Sequence, residues 1–449
     1  MQGALSHRLL ALLNRWVGVR ETEVRALVWA FLYFFSLLAG YYVLRPIRDE
    51  MGIQGGVENL PWMFTATFVA MLAAIPLYGA ASARFPRRRL IPGVYLFFLV
   101  NLLLFYGAFR VVEDPAWVAR VFFVWVSVFN LFVVSVFWTF MADLFSNEQG
   151  RRLFGAVAAG GSAGAIAGPA LTTGLVQLVG IAELLLVSAT LLTFTLLCIS
   201  RLLAQAARLR GSGAGEPASP GSGDEGAATR GLGGGAWSGI RLLARSPYLL
   251  GIAGYILLYT ATSTFLYFEQ AHIVEDSLAQ AADRTALFAA MDLAVNILTL
   301  GVQLFVTGRV VSRLGVGVAL GLLPALVALG FGVLALAPVL GVLVVFQVLR
   351  RAASYALARP AREVLFTVVG REERYKAKNV IDTVVYRGGD AATGWVFAGL
   401  TGLGLGLAAM AAVAVPLAVG WLALGVGLGR RQEALSRGTD AAAQQGDRG

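Results

Sequence analysis

The sequence predicts an all-α polytopic membrane protein, with twelve transmembrane helices arranged as two six-helix bundles. Three observations carry that prediction. Of 449 residues, 58% are hydrophobic and only 14% are charged, at a mean hydropathy of +0.73. A soluble chain of this length needs far more polar residues to cover its surface. Apolar windows of about 20 residues recur from end to end, each long enough to cross a hydrocarbon core of about 30 Å. A Gly/Ser/Ala-rich stretch, "GSGAGEPASPGSGDEGAATRGLGGG" at 211–235, divides six such windows from six more.

The chain opens on "LSHRLLALLNRWVGVRETEVR", which lacks the clean apolar core and small-residue cleavage site of a signal peptide. Residues 1–23 read instead as a cytoplasmic amphipathic segment lying on the membrane. Spans follow near 24–44, 61–83, 90–109, 118–142, 153–179 and 181–200, making an N-terminal bundle over 24–204. A flexible cytoplasmic linker is expected over 205–240. The second bundle, 241–430, holds spans near 248–268, 286–308, 314–336, 339–358, 380–401 and 405–429, and a disordered tail is expected over 431–449.

The distribution of basic residues tests this count. With the N-terminus in the cytoplasm, 30 of the 36 Lys and Arg fall on inner segments, "RFPRRR" at 84–89 among them. Outside lie Arg45, Arg48, Arg110, Arg120 and Arg284, and Arg387 sits within a span. A missed span would reverse the alternation partway along, and it never reverses. Both termini are therefore expected to be cytoplasmic.

Composition also excludes functions. The net charge of +10 reads as topology signal between apolar spans, so no nucleic-acid partner is expected. One cysteine, Cys198, and two histidines, His7 and His272, leave no basis for disulfides or a zinc site. With no Walker motif and no nucleophile–base pair, neither ATP-driven pumping nor catalysis is expected, and no cofactor. Gly160, Gly164 and Gly168, four apart in span 5, read as a helix-packing face.

Several charges sit where a bilayer disfavours them. "RPIRDE" at 45–50 falls on the outer side, where orientation does not call for arginine. If span 1 continues through Pro46, Arg45 faces Arg48 and Asp49 one turn on. Two readings stay open: an outer salt bridge that ends the span, or arginines turned into a water-filled cavity to meet an anionic substrate. On span 11, Lys376, Asn379, Thr383, Arg387 and Asp390 share one helix face at about 100° per residue. Facing lipid, Arg387 and Asp390 would each oppose insertion by about 2.5–3.5 kcal/mol, so they are expected to face the interior. The only two lysines, Lys376 and Lys378, stand at the entrance of this helix. Near the exit of span 10, Arg359 and Glu363 at i,i+4 suit a cytoplasmic gate, and Asp292 is a lone carboxylate in span 8.

Two same-orientation six-helix halves joined by a cytoplasmic linker resemble the layout of major-facilitator transporters, whose substrate site lies between the halves. More narrowly, "YYVLRPIRDEM", "VFWTFMADLF" and "REERYKAKNVIDTVVYRGGDAATG" resemble the ADP/ATP translocase-like transporters, above all their short bacterial relatives. That resemblance implies exchange of nucleotides without hydrolysis and, through the bacterial relatives, a place in a bacterial inner membrane. Arg45 and Arg48 stand where that family has basic residues after its first helix. Lys376, Lys378 and Asp382 match its Lys-x-Lys-x-x-x-Asp pattern. The chain departs from it in two ways. "VWVSVFNLFVVSVFW" and "YILLYTATSTFLYF" contain no acid, whereas parasite and plastid members carry glutamates in helices 4 and 7. Gly388, Gly389 and Asp390 stand where those members have Gly-Lys-Ser.

The sequence thus points to a carrier working by alternating access, a monomer in the lipid bilayer that exchanges ATP, ADP or another phosphorylated anion. Arg45, Arg48, Lys376, Lys378, Thr383 and Arg387 would bind the substrate. Asp49, Asp292, Arg359, Glu363, Asp382 and Asp390 would couple or gate. A proton-coupled carrier of another solute, using Asp292 or Asp390, and a scaffold that transports nothing remain the alternatives.

Overall fold

The structure, a computed structural model, describes residues 19–112, 115–211 and 241–446. Most of the amphipathic segment expected at 1–23 and of the linker expected at 205–240 lies outside the described residues. Every regular element among the described residues is helical. In chain order these are α1 (Glu21–Gln54), a 3-10 turn (Val57–Asn59), α2 (Leu60–Arg84), α3 (Arg87–Val111), α4 (Pro115–Leu144), α5 (Asn147–Val179) and α6 (Ile181–Gly211). There follow α7 (Pro247–Ser277), α8 (Ala281–Val302), α9 (Gly308–Leu336), α10 (Leu340–Ala353), α11 (Arg359–Leu365), α12 (Arg371–Val380), α13 (Tyr386–Gly402) and α14 (Leu407–Gly446). Three π-helical turns, Gln303–Thr307, Ser354–Ala358 and Ile381–Val385, join α8 to α9, α10 to α11 and α12 to α13.

Eleven helices among the described residues are long and apolar enough to cross a bilayer. The remaining predicted span, the eleventh, is the charged run from α12 into α13. Its polarity keeps it apart from the others. Large side chains on these helices stand exposed, Leu104, Trp117 and Leu336 among them, as a lipid-facing surface requires.

The chain packs into two units. The first holds Met1–Met51, Ala70–Arg230 and Thr285–Leu293, and the second Gly52–Val69, Gly231–Arg284 and Ala294–Gly449. The short segments 52–69 and 285–293 thus fall outside contiguous halves.

In the first unit α1 is the central element. Its Tyr33 hydroxyl meets that of Tyr95 on α3 at 2.6 Å, and Tyr95 donates onward to the Val133 carbonyl at 2.9 Å. Phe34 stacks on Phe137 of α4 at 4.0 Å. Ser188 of α6 donates to the Gly40 carbonyl at 3.0 Å, and Ser36 bonds Thr195 at 2.8 Å. The glycine stripe of α5 lies directly on α1. A β-carbon at Gly160, Gly164 or Gly168 would collide with the carbonyl oxygens of Phe31, Phe35 and Ala39 respectively. Successive turns of α5 therefore rest on the backbone of α1, the close approach that small residues permit.

At the start of these helices, Ser146 and Gln149 close a capping box on α5. Gln149 and Arg152 also donate to the carboxylate of Glu23, which is buried. Burial raises that carboxyl's affinity for a proton. Bonds from Arg152, the Arg20 backbone N–H and Gln149 outweigh the burial and hold its pKa below the ordinary 4.5.

In the second unit α7 lies against α13 and α14. Tyr255 donates to the Leu320 carbonyl of α9 at 2.9 Å, and Tyr248 to the Leu365 carbonyl of α11 at 2.8 Å. The chain turns from span 8 into span 9 at Gly315, whose φ of 81° is a left-handed conformation suited to glycine. Gly317 of α9 and Gly429 of α14 meet backbone to backbone.

Four boundaries differ from the sequence reading. α1 runs ten residues past 44, straight through Pro46. It continues because Leu44, Ile47 and Met51 are buried and prolong its apolar face. α6 continues past 204 to Gly211. α14 reaches Gly446, where a disordered tail was expected from 431. The segment "RRQEALSRGTDAAAQQ" is rich in strong helix formers, which carry the helix on beyond the apolar run. α7 extends past 268 to Ser277 and so takes in Glu269 and Gln270, both buried. The reading that span 7 holds no acid is therefore corrected: its apolar window stopped one residue short.

Two measurements check this packing. Gly164→Val should overpack the α1–α5 contact by about 1–3 kcal/mol, lowering the melting temperature of the purified protein, whereas Gly155→Val, at an open position, should not. Glu23 is held below its ordinary pKa, so its stabilisation is complete above pH 4.5 and disappears as pH falls through its lower folded value. Arg152→Ala should cost about 1–3 kcal/mol at neutral pH and flatten the acid limb of a melting-temperature profile.

Candidate functional site

The second unit contains a cavity of about 270 Å³. Tyr255, Ile256 and Tyr259 of α7 line one side. Ser354 and Ala358 come from the π turn after α10, Arg359 and Arg362 from α11, Asp382 from the π turn after α12, and Tyr386 and Arg387 from α13. Two of the three π turns thus contribute to its wall. A π turn inserts one residue into a helix and re-aims the side chains that follow. Here it turns Arg359, Tyr386 and Arg387 toward a common space. The carbonyls loosened by the Ser354–Ala358 turn find donors on the π turn of span 8. Thr307 donates to the Ala356 carbonyl at 2.8 Å, and Gln303 to the Tyr355 carbonyl at 3.4 Å.

The lining carries three guanidinium groups against one carboxylate, an arrangement that attracts anions and repels cations. Arg362 lies 3.2 Å from Asp382, whose side chain remains 37% exposed. Arg359 sits over the ring of Tyr355 at 4.5 Å and Arg387 over Tyr386 at 5.3 Å. Arg387 also faces Asp390 at 3.7 Å, and Asp390 accepts from Thr264 of α7 at 3.0 Å. Tyrosine rings and hydroxyls fill the space between the charges, with Ser354 donating to the Tyr259 hydroxyl at 3.2 Å.

Of the residues singled out in the sequence, Arg359, Asp382 and Arg387 come together in this cavity. Lys378 is turned to Glu363 at 2.8 Å, and Glu363 also meets Arg362 at 3.5 Å. Thr383 donates to Asn379 at 3.3 Å. Lys376 is half-buried on α12. The single polar face drawn for span 11 assumed an unbroken α-helix. The π turn at Ile381–Val385 shifts the phase between its two ends by about one residue, so Lys376 and Asn379 no longer share a straight row with Arg387 and Asp390.

Arg45, Arg48, Asp49 and Asp292 belong to the first unit. Arg45 does meet an acid, but its partner at 3.6 Å is Asp292 on α8. Arg48 pairs with Asp49 at 3.0 Å, donates to Ser127 at 2.9 Å and lies 3.8 Å over the ring of Phe123.

Sequence reading missed Arg362 and the tyrosines Tyr255, Tyr259 and Tyr386 as site residues. The i,i+4 spacing of Tyr255 and Tyr259 was visible, but nothing local distinguished it from core packing. Among the described residues no cluster of His, Cys, Asp and Glu could hold a metal ion.

Comparison with known proteins defines the class. The profile of the Major Facilitator Superfamily matches residues 26–361. That is most of the chain, and the protein belongs to this superfamily of membrane transporters. Comparison with curated proteins finds no match. Among solved structures, a mutant of the nucleoside transporter NupG aligns over 91% of this chain and 98% of its own, at 11% identity and a TM-score of 0.58. PepTSo, a POT family transporter, aligns over 93% and 98%, at 11% identity and a TM-score of 0.61. A bacterial homologue of the iron transporter ferroportin aligns over 91% and 98%, at 12% identity and 0.62. At such identities the likeness is one of fold.

The Arg362–Asp382 pair is open to solvent on its acidic side. Asp382→Asn should therefore cost less than about 1 kcal/mol of stability while raising the affinity of the cavity for anions. Titration with inorganic pyrophosphate against tryptophan fluorescence would measure the second effect, which added salt should screen.

Proposed function

We propose that this protein is a carrier of small phosphorylated anions working by alternating access, with ATP and ADP the leading solutes. The observation that carries this reading is the cavity in which Arg359, Arg362 and Arg387 face a single carboxylate, Asp382. Each guanidinium offers a planar fork matched to phosphate oxygens. The tyrosines alongside supply hydroxyl donors and ring faces on which a nucleobase could stack. A volume of about 270 Å³ lies near the lower end of ligand pockets, about 300–1,000 Å³, and suits the phosphate end of a nucleotide or a smaller phosphorylated solute.

The sequence likeness to ADP/ATP translocase-like transporters supports the nucleotide reading, through Lys376, Lys378 and Asp382 in particular. The solved relatives are named for nucleosides, peptides and iron, so this fold by itself does not select a substrate. In the proposed cycle Arg359, Arg362 and Arg387 bind the anion, and Asp382 releases Arg362 to it. Glu363 and Lys378 hold the neighbouring helix ends together as a gate. Arg45, Arg48 and Asp292 form a second charged group, whose ion pairs would break and re-form during transport. The basic-residue distribution supports an orientation with both termini in the cytoplasm, and the likeness to bacterial ADP/ATP translocase-like transporters supports an inner membrane.

Counterflow in proteoliposomes tests this. Vesicles loaded with unlabelled ATP or ADP should accumulate labelled nucleotide. Arg359→Ala, Arg362→Ala and Arg387→Ala should each raise KM by about tenfold to a hundredfold, since a hydrogen bond to a charged group is worth about 1.5–3 kcal/mol. Folded protein that exchanges neither nucleotides nor smaller phosphorylated compounds would overturn the reading.

A further inference from the structure

The intramembrane acids of this chain differ in one respect. Asp292 lies beside Arg45, and Asp390 beside Arg387 and Thr264. Glu269 of α7 is fully buried, at 0% exposure, and neither of its carboxylate oxygens has a hydrogen-bond partner among the described residues. One turn away on the same helix are Phe265, Leu266 and Ile273, all buried, with Phe265 packed on Phe397 of α13.

Among the described charged groups on the elements packed against α7, none hydrogen-bonds Glu269, Arg351 of α10 included. Arg350 of α10 gives its guanidinium to Gln347 and Ser263. On α13, Arg387 pairs with Asp390, and on the adjoining π turn Asp382 pairs with Arg362. Glu58 of the 3-10 turn accepts from Asn59. On α14, the basic and acidic residues Arg430, Arg431 and Glu433 lie beyond the Trp421 level, where that ring meets Tyr255 and Tyr259. On α7 itself the titratable neighbours are His272, one turn along, and Glu275 and Asp276 at the exposed end of the helix. None of these donates to Glu269.

We propose that Glu269 is a proton-binding site of this carrier, and that His272 passes protons between it and water; this deepens the transport function proposed above and rests on it. An ionised carboxylate buried without a partner is so costly that the group takes up a proton instead. A metal cation would require several oxygen ligands at once, and no such cluster is present among the described residues. The face of α7 grades outward from Glu269, buried, through His272, half-buried, to Asp276, exposed. These positions, i, i+3 and i+7, neighbour one another along a helix. The Nδ1–H of His272 donates to the Phe268 carbonyl at 2.8 Å, which leaves Nε2 with a lone pair. That nitrogen accepts a proton from a hydronium ion, which leaves as water, and the imidazolium so formed hands the proton to the Glu269 carboxylate. The imidazole returns to neutrality, and the net change is one proton bound.

Infrared difference spectroscopy tests the site without any solute. In purified protein in liposomes, a protonated-carboxyl carbonyl band should be present at neutral pH and fade on alkalinisation. It should vanish in Glu269→Gln, persist in Glu269→Asp, and survive in Asp292→Asn and Asp390→Asn. After a pH jump, His272→Ala should slow the change of that band by at least about tenfold. A spectrum without the band, or one in which Glu269→Gln leaves it unchanged, would overturn the proposal. The same protein then undergoes the exchange assay under an imposed pH gradient. Uptake enhanced by the gradient in the wild type and unresponsive to it in Glu269→Gln supports coupling. Uptake indifferent to the gradient in both would reduce Glu269 to a neutral structural acid. A failure to exchange nucleotides leaves the infrared result standing and overturns only the solute assignment.

Discussion

A charge inside a bilayer must find a partner, a polar network or water, because hydrocarbon offers none of these. Much of what distinguishes this chain from an ordinary bundle of apolar helices follows from that constraint. Arg45 and Asp292 meet it as an ion pair, and Arg48 by way of Asp49, Ser127 and the face of Phe123. Arg350 meets it without any acid, held by glutamine and serine oxygens. Arg359, Arg362 and Arg387 meet it by bordering a cavity. The last solution is the one that leaves guanidinium groups on a cavity wall.

The cavity exists because two helices are not regular. A continuous α-helix would place the polar residues of span 11 in one row and send the residues after Ala353 down a single face. The π turns at Ser354–Ala358 and Ile381–Val385 break both patterns. The freed carbonyls are satisfied from the side, by Thr307 and Gln303 of the third π turn. Such single turns inside α-helices are frequent at functional sites. The wall of the cavity is thus built in part from irregular turns of otherwise regular helices.

Elsewhere the fold depends on contacts that do not yield. Gly160, Gly164 and Gly168 lay α5 against the backbone of α1, and Gly317 meets Gly429 where α9 crosses α14. Buried hydroxyls tie helix to helix through carbonyls, from Tyr95 to Val133 in the first unit and from Tyr255 to Leu320 in the second. The glycine contacts bring backbone onto backbone without intervening side chains, unlike the π turns that line the cavity.

Hydropathy, linker composition and the alternation of basic residues determined the fold class and most spans, because length and oiliness are local properties of a segment. The same local logic identified Gly160, Gly164 and Gly168 as a packing face, and picked out Arg387 and Asp390 as charges in costly positions and Arg359 with Glu363 as a gate, whereas Asp382 came from the family resemblance. Which charge faces which group was not local. Arg45 meets Asp292 from 247 residues away in sequence, and Asp390 accepts from Thr264 of another helix. Arg362 and Tyr386 follow π turns, which leave no clear mark in residue type, and Tyr255 and Tyr259 reach the cavity from α7, a separate helix. Glu269 lay one residue past the end of an apolar window, and only the continuation of α7 to Ser277 showed that it is buried. Sequence alone decides where a segment can lie, since each residue carries its own transfer free energy. Tertiary structure decides which buried charges are neutralised, since that depends on neighbours brought together from distant parts of the chain.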